Sequence, residues 1–195
     1  ELSVVNESNS KVSGASVRLF LTRDGQAEIA ASDAMQLDLA PWSRKDQSVR
    51  LHVHEPLPWN SEHPNLYLLH TIISQNGTEV ERLLRRVGFR QTRIDKTSLL
   101  IDGKPVKLKG TAHHDSHPLM GRAVTPAIER QDLELMKAAN IDAVRTSHYP
   151  PIAELDDIAD ELGLYIEEEA PFCWVGDSHD LRWGPLTRQL TAEMV

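Results

Sequence analysis

The sequence of 195 residues has a single cysteine, Cys173, and no apolar run that approaches the length of a membrane span. One cysteine excludes an internal disulfide framework and suits a reducing compartment. A membrane helix needs about 20 consecutive apolar residues, so we expect a soluble protein with no membrane partner. Internal repeats and low-complexity tracts are also missing. With a hydrophobic share of 40%, the chain can bury a core, and disorder is not expected.

Basic residues are fewer than acidic ones: the chain has 21 Lys and Arg and 29 Asp and Glu, which gives a formal net charge of −8. Nucleic-acid surfaces depend on clustered Lys and Arg that release counterions. The charge balance therefore argues against a nucleic-acid partner and fits a neutral or cationic small ligand. The first residue is Glu1, and no signal-like segment is present. We expect a piece of a longer polypeptide, and the compartment stays open between cytoplasm, periplasm and secretion.

Residues 1–92 have the pattern of short β-strands. Apolar and polar residues alternate over 17–21 and 49–53, and Asn76-Gly77 separates two apolar runs as a hairpin turn does. We predict seven strands, near Leu2–Val5, Ser16–Thr22, Ala27–Ala31, Met35–Leu39, Ser48–His54, Leu66–Ser74 and Val80–Gly88. Seven short strands with no helix among them predict an immunoglobulin-like sandwich.

The period of the sequence changes after Arg93. Leu99 to Val106 predicts a small hairpin around Asp102-Gly103. Thr125-Pro126 predicts a helix start, with threonine as the cap and proline at the first helical position. Its inner stripe is predicted to hold Ile128, Leu135, Met136 and Ala139. Pro151 opens a second predicted helix, which ends at Gly163 in a left-handed cap.

A strand that ends at the His-rich stretch beginning with His113 comes first, and strand-like segments at 141–144 and 164–166 follow in alternation with these helices. This order predicts a parallel sheet covered by helices. A (β/α)₈ barrel takes roughly 250 residues, and only three strands are predicted here. Three strands cannot close a barrel and would leave an unpaired edge. The second half is therefore either a small α/β domain or the beginning of a barrel that continues beyond Val195.

Polar residues gather where the predicted parallel strands end. His113, His114 and Asp115 follow the first strand, and Arg145 and His148 follow the second. Because the βα loops of a parallel barrel converge at the C-terminal ends of its strands, we expect all five side chains to share one mouth.

Two other interpretations concern these strand ends. The stretch from His113 to His117 contains three histidines and an aspartate, which are zinc ligand types. Adjacent strand residues point to opposite faces, so we predict no metal there. Glu167, Glu168 and Glu169 have the residue type of acid–base catalysts. Strand alternation sends at most two of them inward, and we assign them to the strand tip.

Five motifs follow one another over more than half of the chain. They are HPNLYLL, VGFRQTRI, LLIDGKPVKLKGTAHHDSHP, LMKAANIDAVRTSHYPP and IADELGLYIEEEAP. Together they resemble glycoside hydrolase family 2, which includes β-galactosidases, β-glucuronidases and β-mannosidases. The resemblance implies a multidomain fold: an all-β immunoglobulin-like sandwich over 1–92, followed over 93–195 by the N-terminal part of a (β/α)₈ TIM barrel. A preceding sandwich and the remaining barrel strands would be missing partners.

The resemblance implies hydrolysis of β-glycosidic bonds with retention, which uses two glutamates about 5 Å apart. In the family these glutamates lie late in the barrel, and the acid/base belongs to an Asn-Glu pair. The only such pair here, Asn6-Glu7, lies in the first predicted strand. We therefore predict no catalytic residue in this chain and no activity of the chain alone. Alternatives are a non-catalytic scaffold or carbohydrate-binding module and, third, a metal hydrolase.

Three residues are predicted to bind a β-galactoside-like carbohydrate. By resemblance, His114 and His148 match histidines that donate hydrogen bonds to sugar hydroxyls. Arg145 matches an arginine beside the nucleophile, where a fixed positive charge helps to keep a carboxylate ionised.

We predict no cofactor. Some galactosidases bind a divalent ion after the third strand, but those places hold Cys173 and Val175 here. Trp174 is assigned either to a stacking surface for a sugar or to the core. The possibility of a homo-oligomer stays open.

Overall fold

The computed structural model describes residues 1–23, 25, 27–173 and 182–194. They form two compact units, Glu1–Leu57 with Asn65–Phe89, and Pro58–Pro64 with Arg90–Val195. Trp174 and Val175, which entered the sequence predictions, lie outside the described residues. No helix in the described ranges has both the length and the apolar character that a membrane crossing requires.

The first unit consists of strands wherever regular secondary structure is described. They are β1 (Leu2–Asn6), β2 (Val12–Thr22), β3 (Ala30–Ala31), β4 (Met35–Leu39), β5 (Ser43–Gln47), β6 (Tyr67–Gln75) and β7 (Thr78–Val87). β1 and β5 pair in one antiparallel sheet. The other sheet has the order β3-β2-β6-β7, and β4 also pairs with β2. Asn76 and Gly77 both have positive φ, 50° and 81°, so the predicted turn between β6 and β7 is confirmed.

One hydrophobic cluster forms the core of the first unit. Val4 from β1 meets Val17 and Leu19 from β2, together with Leu37 and Leu39 from β4. These are alternate residues of their strands, so each strand turns one face inward. Side chains from both sheets therefore share one core.

The strand predicted at Ser48–His54 is wrong, because the structure places β5 at Ser43–Gln47 instead. The pairing of β1 with β5 ends where Leu2 lies opposite Gln47. Beyond this point Val49 and Leu51 still pack partly against the core. Alternation reports which face of an extended segment is buried, whereas a strand also needs a hydrogen-bonding neighbour.

The second unit begins with a small antiparallel sheet. Its strands are β8 (Thr92–Asp95), β9 (Ser98–Ile101) and β10 (Lys104–Pro105), in the order β10-β9-β8. Asp102 and Gly103 have φ of 48° and 76°, as the central residues of a two-residue hairpin turn require. The predicted hairpin is therefore confirmed.

A parallel sheet with helical connections follows. Its elements are β11 (Gly110–His113), α1 (Pro126–Ala138), β12 (Ala143–Thr146), α2 (Glu154–Leu162) and β13 (Tyr165–Glu167), and α3 (Trp183–Glu193) comes after them. The strands lie in chain order, and their register aligns Ala112, Arg145 and Glu167. Three parallel strands therefore end along one edge.

One of the two predicted helix starts agrees with the structure, and the other does not. α1 begins at Pro126 as predicted, although the Thr125 side chain makes no capping hydrogen bond. α2 begins at Glu154 rather than at Pro151. The backbone N–H of Ile152 donates to the Asp115 carboxylate and holds this segment in the loop that precedes the helix.

The core of the second unit lies between the helices and the sheet. Leu133 of α1 and Leu155 of α2 pack with Val144 of β12. Leu135, predicted to face inward, is instead 63% exposed. Glu129 occupies a fully buried position on α1. Because a charged residue stands on the buried face, the apolar residues alone predict the wrong inner face for this helix.

Trp59 attaches the segment Pro58–Pro64 to the second unit. Its side chain is 2% exposed, and its Nε1–H donates to the Asp160 carbonyl at 2.8 Å. Its ring meets the Tyr165 ring edge-on at 5.4 Å, and the Arg90 guanidinium lies 5.0 Å from its centroid. Aromatic and cation–π contacts of this kind are stabilising, so this segment packs with the α/β residues although it interrupts the first unit in sequence.

Gly163 ends α2 in the left-handed conformation, with φ of 75°, as predicted. A Cβ at this position would lie 2.6 Å from the Ser61 carbonyl oxygen. Lys137 Nζ donates to that same oxygen at 2.6 Å and to the Gly163 carbonyl at 2.8 Å. The helix end therefore needs glycine both for its backbone conformation and for the close approach of Ser61.

We expect Gly163→Ala to lower the free energy of unfolding by about 2–5 kcal/mol, since the left-handed conformation costs about 1–2 kcal/mol and overpacking about 1–3 kcal/mol. Gly103→Ala is the matched control. Gly103 has φ of 76° but no neighbouring atom within 4 Å of its added Cβ, so only the conformational cost applies. Urea denaturation of the three proteins measures both losses. Equal losses would mean that Ser61 does not constrain Gly163.

Candidate functional site

The C-terminal ends of β11, β12 and β13 bring together five polar side chains. These residues, named here the strand-end cluster, are His114, Arg145, His148, Tyr149 and Glu169. Ala112 and Arg145 are register partners, so the cluster begins on the sheet face opposite the buried Val144. A groove of about 380 Å³ runs along the strands beside Arg145. The cluster therefore lies at the end of an open groove.

Aromatic rings line one part of the strand-end cluster. The His114 and His148 rings meet edge to face, with centroids 5.5 Å apart and planes at 83°. His114 Nδ1 lies 3.4 Å from the Tyr149 hydroxyl. The Arg122 guanidinium lies 4.7 Å from the centroid of the Tyr149 ring. Two imidazoles and a phenol, all able to donate or accept hydrogen bonds, are thus close neighbours.

Glu169 connects the side chains of Arg145 and His148. Its Oε1 accepts from Arg145 Nε at 2.6 Å and also from Arg145 Nη2. Its Oε2 lies 2.8 Å from His148 Nδ1. An ionised carboxylate can only accept, so His148 carries a proton on Nδ1. Its orientation and its tautomer are both set by Glu169.

The charges of the cluster determine the ionisation of Glu169. The hydrogen bonds from Arg145, and then from His148, lower the pKa of the Glu169 carboxyl. Because the folded-state pKa is lowered, these interactions contribute to stability above the ordinary pKa of glutamate. Their contribution is lost as the pH falls through the lowered value.

A second group, named here the buried triad, lies behind the cluster. It consists of His113, Asp115 and Glu129, all buried. His113 Nε2 lies 2.8 Å from Glu129 Oε2. The hydrogen bond to Glu129 raises the pKa of His113 against the opposing effect of burial. Burial, followed by the charge of Glu129, raises the pKa of Asp115. The triad has ligand atoms within 4.8 Å of one another, the spacing of a potential metal group among the described residues.

The structure divides the five residues expected to share one mouth. His114, Arg145 and His148 lie together, as expected, whereas His113 and Asp115 belong to the buried triad. Adjacent residues at a strand end point to opposite sides, so His114 lies on one side and its two neighbours lie on the other.

Sequence reasoning missed the residues that organise both groups. The sequence prediction assigns Glu169 to the strand tip and does not include Glu129, which lies within α1. The available signal for Glu169 was its place at the end of the strand beside Arg145. For Glu129 the signal was a charged residue four positions before Leu133 on the inner stripe.

The comparison with protein families covers nearly the whole chain. Residues 92–191 match the family described as glycosyl hydrolases family 2, TIM barrel domain, and residues 1–90 match the family described as glycosyl hydrolases family 2. The first match alone covers just over half of the chain. The chain belongs to glycoside hydrolase family 2. The motifs quoted above thus identified the family from sequence alone.

The similar proteins include β-galactosidases and a putative β-glucuronidase. A β-galactosidase of Vibrio vulnificus (strain YJ016) is 40% identical over 121 residues, which are 62% of this chain and 12% of that protein. A putative β-glucuronidase of Formosa agariphila is 31% identical over 174 residues, which are 87% of this chain and 21% of that protein. The chain therefore spans only a small part of the length of these relatives.

Solved family 2 structures share the fold. A β-glucuronidase of Bacteroides uniformis superimposes with a TM-score of 0.80 at 26% identity and covers 87% of this chain, which corresponds to 20% of that structure. A β-galacturonidase of Eisenbergiella tayi bound to galacturonate superimposes with a TM-score of 0.73 at 27% identity, covering 86% of this chain and 29% of that one. The β-rich, multidomain architecture is thus that of family 2.

Proposed function

We propose that this chain is part of a retaining β-glycosidase that hydrolyses O-glycosidic bonds of β-galactoside-like substrates. In this proposal, residues 1–92 are the immunoglobulin-like sandwich, and residues 93–195 contribute the first three strands of a (β/α)₈ barrel. The parallel order β11-β12-β13, with α1 and α2 as connections, supports the barrel assignment. Family membership supports the chemistry.

The observation that carries the proposal is the strand-end cluster. It gathers His114, Arg145 and His148 at the C-terminal ends of parallel strands, where barrel enzymes hold their active sites. Sugars offer several hydroxyls, and imidazole and phenol groups can pair with them. We propose that His114 and His148 bind sugar hydroxyls and that Arg145 provides the fixed positive charge beside a carboxylate nucleophile. Both catalytic glutamates would come from outside this chain.

A β-galactoside-like substrate is supported by the β-galactosidase of Vibrio vulnificus (strain YJ016), which is 40% identical over 62% of this chain. A β-glucuronide is nevertheless the second candidate substrate, because the putative β-glucuronidase of Formosa agariphila covers most of the chain.

The proposal is tested by comparing the longer polypeptide with the 195-residue chain, both produced in a host that lacks its own β-galactosidase. We expect the longer polypeptide to hydrolyse 4-nitrophenyl β-galactoside faster than the β-glucuronide, and the chain alone to hydrolyse neither. Proton NMR of the first product reports whether the β-configuration is retained. Hydrolysis by the chain alone would contradict the absence of the catalytic glutamates.

The same experiment separates the enzyme from a scaffold or carbohydrate-binding module. Binding of galactose by the longer polypeptide without hydrolysis of any aryl β-glycoside would favour the binding module. A reversed preference, for the β-glucuronide, would replace the proposed substrate and leave the glycosidase assignment intact.

A further inference from the structure

The buried triad combines one imidazole with two carboxylates in a closed space. His113 and Asp115 are each 8% exposed, and Glu129 is 0% exposed. One ligand atom from each residue lies within 4.8 Å of the other two. His113 and Asp115 come from the end of β11, whereas Glu129 comes from α1, so the triad joins a strand to the helix that covers it.

Two buried polar atoms around His113 lack a hydrogen-bond partner among the described residues, namely Glu129 Oε1 and Ser147 Oγ. Glu129 contacts His113 through its other oxygen, and the Ser147 backbone N–H donates to the His113 carbonyl at 2.8 Å. A buried carboxylate oxygen without a partner is costly. A cation at the triad would give Glu129 Oε1 the interaction that it lacks.

The charge of the triad also favours a cation. With both carboxylates ionised, the triad carries a net negative charge whether His113 is protonated or neutral. Two carboxylates, a neutral imidazole and a divalent cation sum to zero. Buried charges are ordinarily paired or bound to metals. A divalent cation therefore removes the imbalance without leaving any ligand uncompensated.

We propose that His113, Asp115 and Glu129 bind a divalent cation of the zinc or manganese class. A nitrogen ligand with two carboxylate oxygens suits these metals, whereas Mg²⁺ and Ca²⁺ prefer oxygen ligands. Zinc ligands at about 2.0–2.1 Å in a tetrahedron lie about 3.4 Å apart. His113 Nε2 and Glu129 Oε2 are 2.8 Å apart, and the three ligand atoms lie within 4.8 Å of one another. Reaching the zinc spacing therefore requires side-chain movements on the order of 1 Å.

The site lies beside the strand-end cluster but outside it. His114 stands between the two strand-derived ligands, His113 and Asp115, and points to the other side. The cation holds the end of β11 to α1, and thereby fixes the backbone that presents His114. This inference rests on the triad alone and stands whether or not the proposed glycosidase function is correct.

The test begins with the 195-residue chain, stripped of metal with a chelator and checked for folding by circular dichroism. Titration with Co²⁺, followed by its visible absorption, is expected to saturate at a single equivalent with the spectrum of a low-symmetry bound ion. Zn²⁺ is expected to displace the Co²⁺ and to raise the midpoint of thermal unfolding as its concentration rises. A folded chain that binds neither ion overturns the proposal.

Variants locate the ion. Glu129→Gln and His113→Asn are expected to lose Co²⁺ binding, whereas the matched control His114→Asn, which changes the neighbouring imidazole, is expected to retain it. Binding that survives Glu129→Gln overturns the proposal, and so does binding that depends on His114.

X-ray absorption of the Zn²⁺-bound wild-type chain decides the matter even if the triad variants fail to fold. One nitrogen and two or more oxygen ligands near 2.0–2.2 Å support the triad. A sulfur ligand near 2.3 Å would come from Cys173 or a methionine and would overturn the proposal. Several imidazole ligands would indicate a surface site and would also overturn it.

Discussion

Replacing His113 with leucine is expected to lower the free energy of unfolding by about 3–5 kcal/mol, the loss typical of a buried ion pair with one partner removed. The side chain of Glu129 is completely buried, and His113 Nε2 is the partner of its Oε2. Its Oε1 already lacks a hydrogen-bond partner among the described residues. Leucine at position 113 would therefore leave a carboxylate buried with neither oxygen paired.

The double variant His113→Leu/Glu129→Leu is the control for this loss. Replacing a buried ion pair by apolar residues of similar volume is often neutral or stabilising, so we expect the second substitution to recover most of the stability. Urea denaturation in the presence of a chelator measures both variants without a contribution from bound metal. If the double variant were as unstable as the single one, the uncompensated charge of Glu129 would not be the cause.

In the longer enzyme that we propose, His148→Ala is expected to reduce kcat/KM by about 5- to 150-fold, which corresponds to a loss of about 1–3 kcal/mol for a buried hydrogen bond. His148 has its Nδ1 at 2.8 Å from Glu169, so its ring is held in one orientation before substrate binds. The alanine variant removes both the hydrogen bond and that preorganisation. Steady-state kinetics with an aryl β-galactoside measures the effect.

Glu169→Gln tests how His148 acts. Glutamine at this position cannot hold the Arg145 and His148 side chains as the carboxylate does, so we expect a reduced kcat/KM here too. Because both substitutions act through His148, the double variant should lose less than the sum of the two single losses. His52→Ala, an exposed histidine of the first unit, should leave the kinetics unchanged. Strict additivity would mean that Glu169 does not act through His148.

Local features of the fold were predictable because they depend on a few adjacent residues. Asn76-Gly77 and Asp102-Gly103 adopt the positive φ angles of tight turns, and Gly163 ends α2 as a left-handed cap. The order of strand and helix followed from the hydrophobic period. The prediction of a strand at Ser48–His54 is wrong because the alternation of apolar and polar residues does not show whether a segment has a hydrogen-bonding neighbour. β1 pairs with Ser43–Gln47 instead.

The candidate site was predictable only in part. The motifs placed His114, Arg145 and His148 at strand ends, and the structure brings them together. Glu169 and Glu129 were not assigned their places, because each meets residues that are distant in the chain. Glu129 also contradicts the expectation that a helix buries apolar residues. For this reason the predicted inner face includes Leu135, which is exposed.

The sequence alone determined the family and the alternation of strand and helix in the second half. It also determined that the polar residues lie at the strand ends. Turn chemistry, periodicity and motif order are all encoded in short stretches, which is why they could be read without coordinates. Only the tertiary structure decided that His114 and His148 face one another while His113 turns back to Glu129. Packing between β11 and α1 selects those partners, and no local pattern specifies which distant side chain fills a buried position.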